Sequence, residues 1–285
     1  MSAVPVQPIR SKLQGEAGTL AVYDWPLPDA SPALGTVVLV HGLGEHAGRY
    51  QEVATHLRSW GFIVRAYDQQ GHGQSAGARG DMLRPGSLQA DLGHVIDATR
   101  QRPHNADRPL VLLGHSMGGL VVARALAEQL RYVDAAVLSS PALGATPNAL
   151  QKLLLATLPK LLPHLCVDNG LNADLVARDA QVVQAYKADP LVHRRISAGL
   201  ASWILAQGQR TVAEAAQWAV PTLLLYAGND HLVHAPASAE FACSAPAALV
   251  QAHCFEAMYH EIFNDPERDQ VMAVLKAWLL TRFSA

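Results

Sequence analysis

A chain of 285 residues, 50% hydrophobic and 16% charged, has enough material for one large α/β domain with a sizeable core and argues against extended disorder. Its 22 Lys and Arg against 24 Asp and Glu leave a formal charge of −2, which calls for no polyanionic partner and argues against nucleic acid binding. Residues 1–12 lack a charged region leading into an apolar core, and no apolar run reaches membrane-spanning length. Cys166, Cys243 and Cys254 are scattered without Cys-x-x-Cys spacing, so the expectation is a cytoplasmic protein with reduced cysteines, no disulfide framework and no zinc site.

Residues 20–25 alternate loosely and run into Pro26, Pro28 and Pro32, which predicts an edge strand and a turn-rich connection. Residues 36–40 form a short branched run ending in His41-Gly42-Leu43-Gly44-Glu45-His46, the pattern of a buried parallel strand opening into a functional loop. A helix over 50–60 and a strand over 62–67 complete a β-α-β unit. The glycine-rich stretch 68–80 reads as a loop, and 87–100 as a helix with Ser87 as its N-cap.

The run Leu110-Val111-Leu112-Leu113 predicts a buried strand, and the apolar residues from Leu120 to Leu126 a buried helix. Between them stands Gly114-His115-Ser116-Met117-Gly118. A serine in Gly-x-Ser-x-Gly at such a junction sits on a strained turn, where the glycines admit close packing and the hydroxyl is pushed outward. The N–H of Met117 then lies at a helix N-terminus, where an oxyanion would form.

Three more strands are expected, over 135–140, 222–226 and 249–255. Between Pro141 and Pro221 the alternation stops. Leu150, Leu153, Leu154, Leu158, Leu161, Leu162 and Leu165 make a helical stripe broken by Pro159 and Pro163. Residues 144–216 therefore read as an inserted helical cap on a core of 1–143 and 217–285, an α/β fold with a mostly parallel sheet flanked by helices. Asp265 and Pro266 predict the start of a terminal helix that buries Val271, Val274, Leu275, Trp278 and Leu279.

A serine hydroxyl needs a base within hydrogen-bond reach, and the base needs an acceptor that fixes its tautomer. On an elbow of this kind the partners follow in the order Ser, Asp or Glu, His. After Ser116 the acid that directly follows an apolar strand is Asp230. Thirteen histidines compete for the base. Those up to His115 precede the serine, His164 and His193 fall in the cap, His231 and His234 stand too close to Asp230, and His253 lies within the last strand. His260 alone occupies the loop after that strand. Backbone N–H groups of Leu43 and Met117 are the expected oxyanion donors. A metal reading of His41 and His46 fails, because no carboxylate or cysteine stands at ligand spacing.

These motifs resemble the monoacylglycerol lipase and lysophospholipase-like branch of the serine α/β-hydrolases. The resemblance rests on the block from His41 to Tyr50, on Gly71-His72-Gly73-Gln74-Ser75-Ala76-Gly77, on Gly114 to Gly119, on Asp189-Pro190-Leu191 and on Tyr259-His260-Glu261. It implies an α/β-hydrolase fold and cofactor-free cleavage of single-chain lipid esters, most of all monoacylglycerol, through an acyl-enzyme. Lysophospholipase and broad carboxylesterase are the alternatives, with a catalytically silent binding module as the non-enzymatic one. The resemblance also places Glu45 and Arg49 near the alcohol side of the substrate; the other reading of the two is a structural ion pair holding the loop. Leu154 and Leu158 are candidate acyl contacts, and the stripe they belong to either meets a ligand or, transiently, a membrane surface, or only holds the cap to the body.

Overall fold

The uninterrupted branched runs form the middle of the sheet. In the computed structural model, which describes residues 6–28, 32–102, 107–145 and 157–284, strands β1 (Ile9–Gly15), β2 (Gly18–Trp25), β3 (Gly35–Val40), β4 (Phe62–Tyr67), β5 (Leu110–His115), β6 (Ala135–Ser139), β9 (Thr222–Ala227) and β10 (Val250–Phe255) join in the order β1-β2-β4-β3-β5-β6-β9-β10. From β4 to β10 every pairing is parallel; only β2 runs against the rest, so its pairings with β1 and β4 are antiparallel. Every residue of β3, β5 and β6 is buried, as strands covered on both faces require.

Two apolar cores lie on the two faces. One gathers Leu88, Leu92 and Val95 of α2 (Ser87–Arg100), Leu120 and Val121 of α3 (Met117–Ala127), Leu200 and Trp203 of α5 (Ala198–Ala213) and Phe241 of α6 (Ala235–Ser244). The other gathers Val53 and Leu57 of α1 (Gln51–Ser59) with Val271, Leu275 and Leu279 of α7 (Arg268–Phe283). Register puts the C-terminal ends of the parallel strands at one edge: Val40 pairs with Gly114, His115 with Ser139, Ser139 with Leu225 and Ala227 with Phe255. Loops that leave these ends converge there, the usual place for a site in an open parallel sheet.

Between β6 and β9 the chain makes a small antiparallel ribbon of β7 (Cys166–Asp168) and β8 (Arg195–Ser197), with α4 (Ala180–Ala188) between its strands and α5 after it. Of the leucine stripe, Leu150, Leu153 and Leu154 lie outside the described residues; Leu158 is half-buried, and Leu161, Leu162 and Leu165 are 76%, 53% and 43% exposed. Among the described residues no helix is long and apolar enough to cross a membrane.

Three local expectations change. The edge strand is β1, and β2 pairs on both sides; Arg10, Ser11, Lys12 and Gln14 make β1 mostly polar and exposed, with no apolar alternation to mark it. Helix α2 is preceded by Gly86 in a left-handed conformation (φ 89°), and the Ser87 hydroxyl accepts from Gln70 Nε2 at 2.6 Å instead of capping. Helix α7 begins at Arg268, because the Asp265 carboxylate is taken by Arg178 Nε at 2.9 Å and by the Tyr259 N–H at 3.1 Å.

Candidate active site

Ser116 occupies the turn between β5 and α3 with φ 54° and ψ −121°, a strained conformation for a residue with a side chain. Its N–H donates to Ser139 O at 2.9 Å, which fixes the turn on β6. Gly118 is required by contact: a Cβ there would lie 2.2 Å from Val40 O and 2.4 Å from His41 O. The glycine lets α3 rest on the end of β3, and the serine hydroxyl projects into the pocket above.

Asp230 follows β9 and His260 follows β10. Asp230 Oδ2 accepts from His260 Nδ1 at 2.7 Å, and the Ser116 hydroxyl lies 2.8 Å from His260 Nε2. The Nδ1–H bond leaves Nε2 free to accept the serine proton. The other Asp230 oxygen accepts from the N–H groups of Leu232 at 2.8 Å and Val233 at 3.0 Å, so a turn of its own loop aims the carboxylate. Both side chains are nearly closed to solvent, at 1% for Asp230 and 6% for His260. Burial, the largest single effect, would lower the imidazole pKa, but the charge and hydrogen bond of Asp230 together with the charges of Glu261 and Glu45 outweigh it, and the net shift is upward. Burial works against ionised Asp230 too, and the His260 charge with the hydrogen bonds it accepts holds it below the usual carboxylate range.

A second cluster faces the first. Glu261 takes the Arg49 guanidinium in a bidentate pair, 2.6 Å to Nη1 and 2.7 Å to Nη2, and Nη1 also donates to Glu45 Oε2 at 2.7 Å. Glu45 Oε1 accepts from the Gly42 N–H at 2.6 Å and from the Tyr50 hydroxyl at 2.7 Å. Burial opposes the charge of Glu45, yet Arg49 keeps its pKa low. The Tyr186 ring lies 4.7 Å from the Arg49 guanidinium. His115 packs 4.7 Å from the His260 ring, and burial together with the His260 charge pushes it down to about 4, so it is neutral at pH 7.

The pocket that holds Ser116 and His260 is lined by Leu43, Leu171, Ala173, Val176 and Leu232 on its apolar side and by Glu45, Glu261, Asn169 and Arg194 on its polar side. Hydrogen bonds join Ser116, His260 and Asp230, Leu43 lines the pocket that holds Ser116 and His260, and Met117 supplies the first N–H of α3, which has no partner four residues back in the helix. Glu45 and Arg49 are ion-paired, and Glu45 also lines the pocket. Leu158 is not among the residues that line the pocket, and Leu154 lies outside the described residues. Histidines set aside in the sequence make local bonds: His41 accepts from the Gln69 N–H at 2.9 Å, His72 bonds Gln70 O at 2.9 Å, and His164 lies 2.8 Å from Asp81. Sequence reasoning missed Glu261 as the partner of Arg49, although its place beside His260 in a buried loop was a signal. It also missed the apolar lining from 171 to 176, where no period marks a contact surface.

The family model described as serine aminopeptidase, S33 matches residues 31–267. A monoacylglycerol lipase from Mycolicibacterium smegmatis is 36% identical over 271 residues, 94% of this chain and 95% of that protein. Phospholipase YtpA from Bacillus subtilis is 33% identical over 253 residues, 87% of this chain and 96% of that one. The crystal structure of Paleococcus ferrophilus monoacylglycerol lipase aligns with a TM-score of 0.80 at 32% identity, over 97% of this chain and 99% of that chain. Sheet order, elbow and sequence agree: the chain belongs to the serine aminopeptidase S33 family, in the monoacylglycerol lipase-like branch of the serine α/β-hydrolases.

Proposed function

We propose that this protein is a monoacylglycerol lipase that releases glycerol and fatty acid through an acyl-enzyme on Ser116. The observation that carries the reading is the hydrogen-bonded line from Ser116 through His260 to Asp230, at 2.8 and 2.7 Å. Ser116 Oγ attacks the ester carbonyl as His260 Nε2 takes its proton, and Asp230 holds the imidazole and stabilises its charged form. The N–H groups of Leu43 and Met117 meet the oxyanion. Collapse of the tetrahedral intermediate expels the glycerol oxygen, which takes the proton from His260. A water molecule, deprotonated by the same nitrogen, then attacks the acyl-serine, and the fatty acid leaves as Ser116 recovers its proton. No step calls for a cofactor.

The substrate class is supported by the relatives named monoacylglycerol lipase and by a pocket with one polar and one apolar side. Exposed Leu161, Leu162 and Leu165 support transient contact of the 144–216 cap with a lipid surface, and the three free cysteines support a reducing cytoplasm. A lysophospholipase is the second reading, favoured by Arg194 on the polar side of the pocket and by the Bacillus subtilis relative named a phospholipase. Fatty acid release from monoacylglycerols, lysophospholipids and short p-nitrophenyl esters separates these readings. Labelling by a fluorophosphonate that is lost in Ser116→Ala supports the mechanism; a protein that neither labels nor turns over is a binding module.

A further inference from the structure

Glu261 spends both carboxylate oxygens on Arg49, which reaches across 212 residues of sequence to a different loop. Arg49 also holds Glu45, and Glu45 holds the Gly42 N–H at 2.6 Å, one residue before the expected oxyanion donor Leu43. A continuous set of bonds thus runs from the residue beside His260 to the residue beside Leu43. Further bonds pin Glu261: Asn264 Nδ2 donates to its Oε2 at 2.8 Å, and its own N–H donates to Val176 O at 2.8 Å. Side-chain exposure is 6% for Glu261, 11% for Arg49 and 4% for Glu45.

Stability alone does not account for the cluster. A buried ion pair loses hydration on both charges, and well-packed apolar residues of similar volume often replace it without loss. What it adds is geometry, because a bidentate guanidinium–carboxylate pair fixes distance and plane. We propose that Glu261 is a positioning residue which, through Arg49 and Glu45, holds the loop bearing His260 and the loop bearing Leu43 in one fixed relation. The proposal rests on the catalytic reading of Ser116, His260 and Asp230 given above.

Charge gives the role a second signature. Two carboxylates share one guanidinium, so a negative charge is left over where the imidazolium of His260 forms. The groups facing His260 are Asp230 after β9, neutral His115 at the end of β5, Glu45 and Arg49 after β3, and Glu261 itself; Tyr186 and Arg194 of the inserted segment border the same pocket. Loss of the Glu261 charge lowers the proton affinity of His260, and the acidic limb of kcat/KM, which reports that proton, moves to lower pH. Shortening the side chain while keeping its charge alters position alone.

The test uses the full chain with p-nitrophenyl butyrate, active sites being counted by fluorophosphonate titration so that misfolded protein drops out. Glu261→Gln is expected to lower kcat per titrated site by about ten- to a hundredfold, to leave KM near its starting value, and to move the acidic limb down. Glu261→Asp is expected to lower kcat with the limb unmoved. If both variants match the wild type per titrated site while Ser116→Ala is dead, or if only KM changes, the positioning role is wrong and the catalytic reading stands. If Ser116→Ala keeps its turnover, the catalytic reading falls and the positioning role falls with it.

Discussion

His46, in the loop after β3, donates from Nε2 to Asp189 of the inserted segment at 2.8 Å while the Gly48 N–H donates to its Nδ1 at 3.2 Å. A second tie lies beside it, where the His193 N–H donates to Gly44 O at 2.8 Å. Gly44 stands at φ 77°, and a Cβ on it would lie 2.5 Å from His193 O. The inserted segment is therefore seated on the loop expected to supply an oxyanion donor, and its seating bears on the reaction.

The two ties should differ in cost. Asp189 is 27% exposed, so Asp189→Ala is expected to cost about 1 kcal/mol or less in thermal or denaturant unfolding. Gly44→Ala meets backbone on both counts, conformation and space, and should cost about 1–3 kcal/mol and lower kcat more than Asp189→Ala does. Unfolding midpoints and kcat for the two variants check this; equal effects would mean that the loop and the inserted segment move apart freely.

The elbow makes a sharper demand. A Cβ on Gly118 would stand 2.2 Å from Val40 O, and neither strand nor helix has a flexible side chain there to give way. Gly118→Ala should push α3 off β3, displace Ser116 and abolish fluorophosphonate labelling, with destabilisation of about 1–3 kcal/mol. Full labelling in a folded Gly118→Ala protein would show that the close approach is not needed.

Asp230 and Asp265 are both buried late acids with opposite expected phenotypes. Asp230→Asn should leave the melting temperature close to wild type and lower kcat by about 10³- to 10⁴-fold, since an amide favours the wrong imidazole tautomer. Asp230 is also the main charge that lifts the His260 pKa against burial, so whatever activity remains should have its acidic limb at lower pH. Asp265 holds Arg178 and the Tyr259 N–H on the histidine loop, so Asp265→Asn should lower the melting temperature first and kcat less. If Asp265→Asn proved the more severe kinetic lesion, the carboxylate assignment would be reversed.

Residues with local signals were legible. Strands β3 and β5 are apolar runs buried on both faces, and the ends of β3, β4 and β5 fall within two residues of the sequence expectation. Ser116 and His260 were marked by a glycine-flanked elbow and by position after the last strand. What stayed hidden depends on partners distant in sequence. Strand β1 is mostly polar and exposed, with Leu13 its one apolar contact to the core, because an antiparallel edge has little to bury. Asp265 looks like a helix cap until Arg178 is seen beside it. The bidentate partner of Arg49, Glu261, stands 212 residues away from it and carries no local signal that ties the two.

Acyl preference follows from the apolar side of the pocket. Leu171, Ala173 and Val176, all from the inserted segment, line it together with Leu232, whereas the half-buried Leu158 of the leucine stripe does not. Burying one methylene is worth about 0.8 kcal/mol, roughly fourfold in kcat/KM per carbon if the contact is made in the transition state. For p-nitrophenyl esters kcat/KM should therefore climb with acyl length beyond four carbons and level off where the apolar lining ends. Leu171 is half-buried, so Leu171→Asn should keep the fold and flatten the climb. Leu158→Asn should leave the slope unchanged in this soluble assay, even if it alters action on lipid vesicles. Should Leu158→Asn flatten the climb as much as Leu171→Asn, the stripe and not the 171–176 wall would hold the chain. A profile that peaks at acetate or butyrate and ignores both substitutions would remove the lipid substrate and leave a small-ester carboxylesterase built on the same three residues.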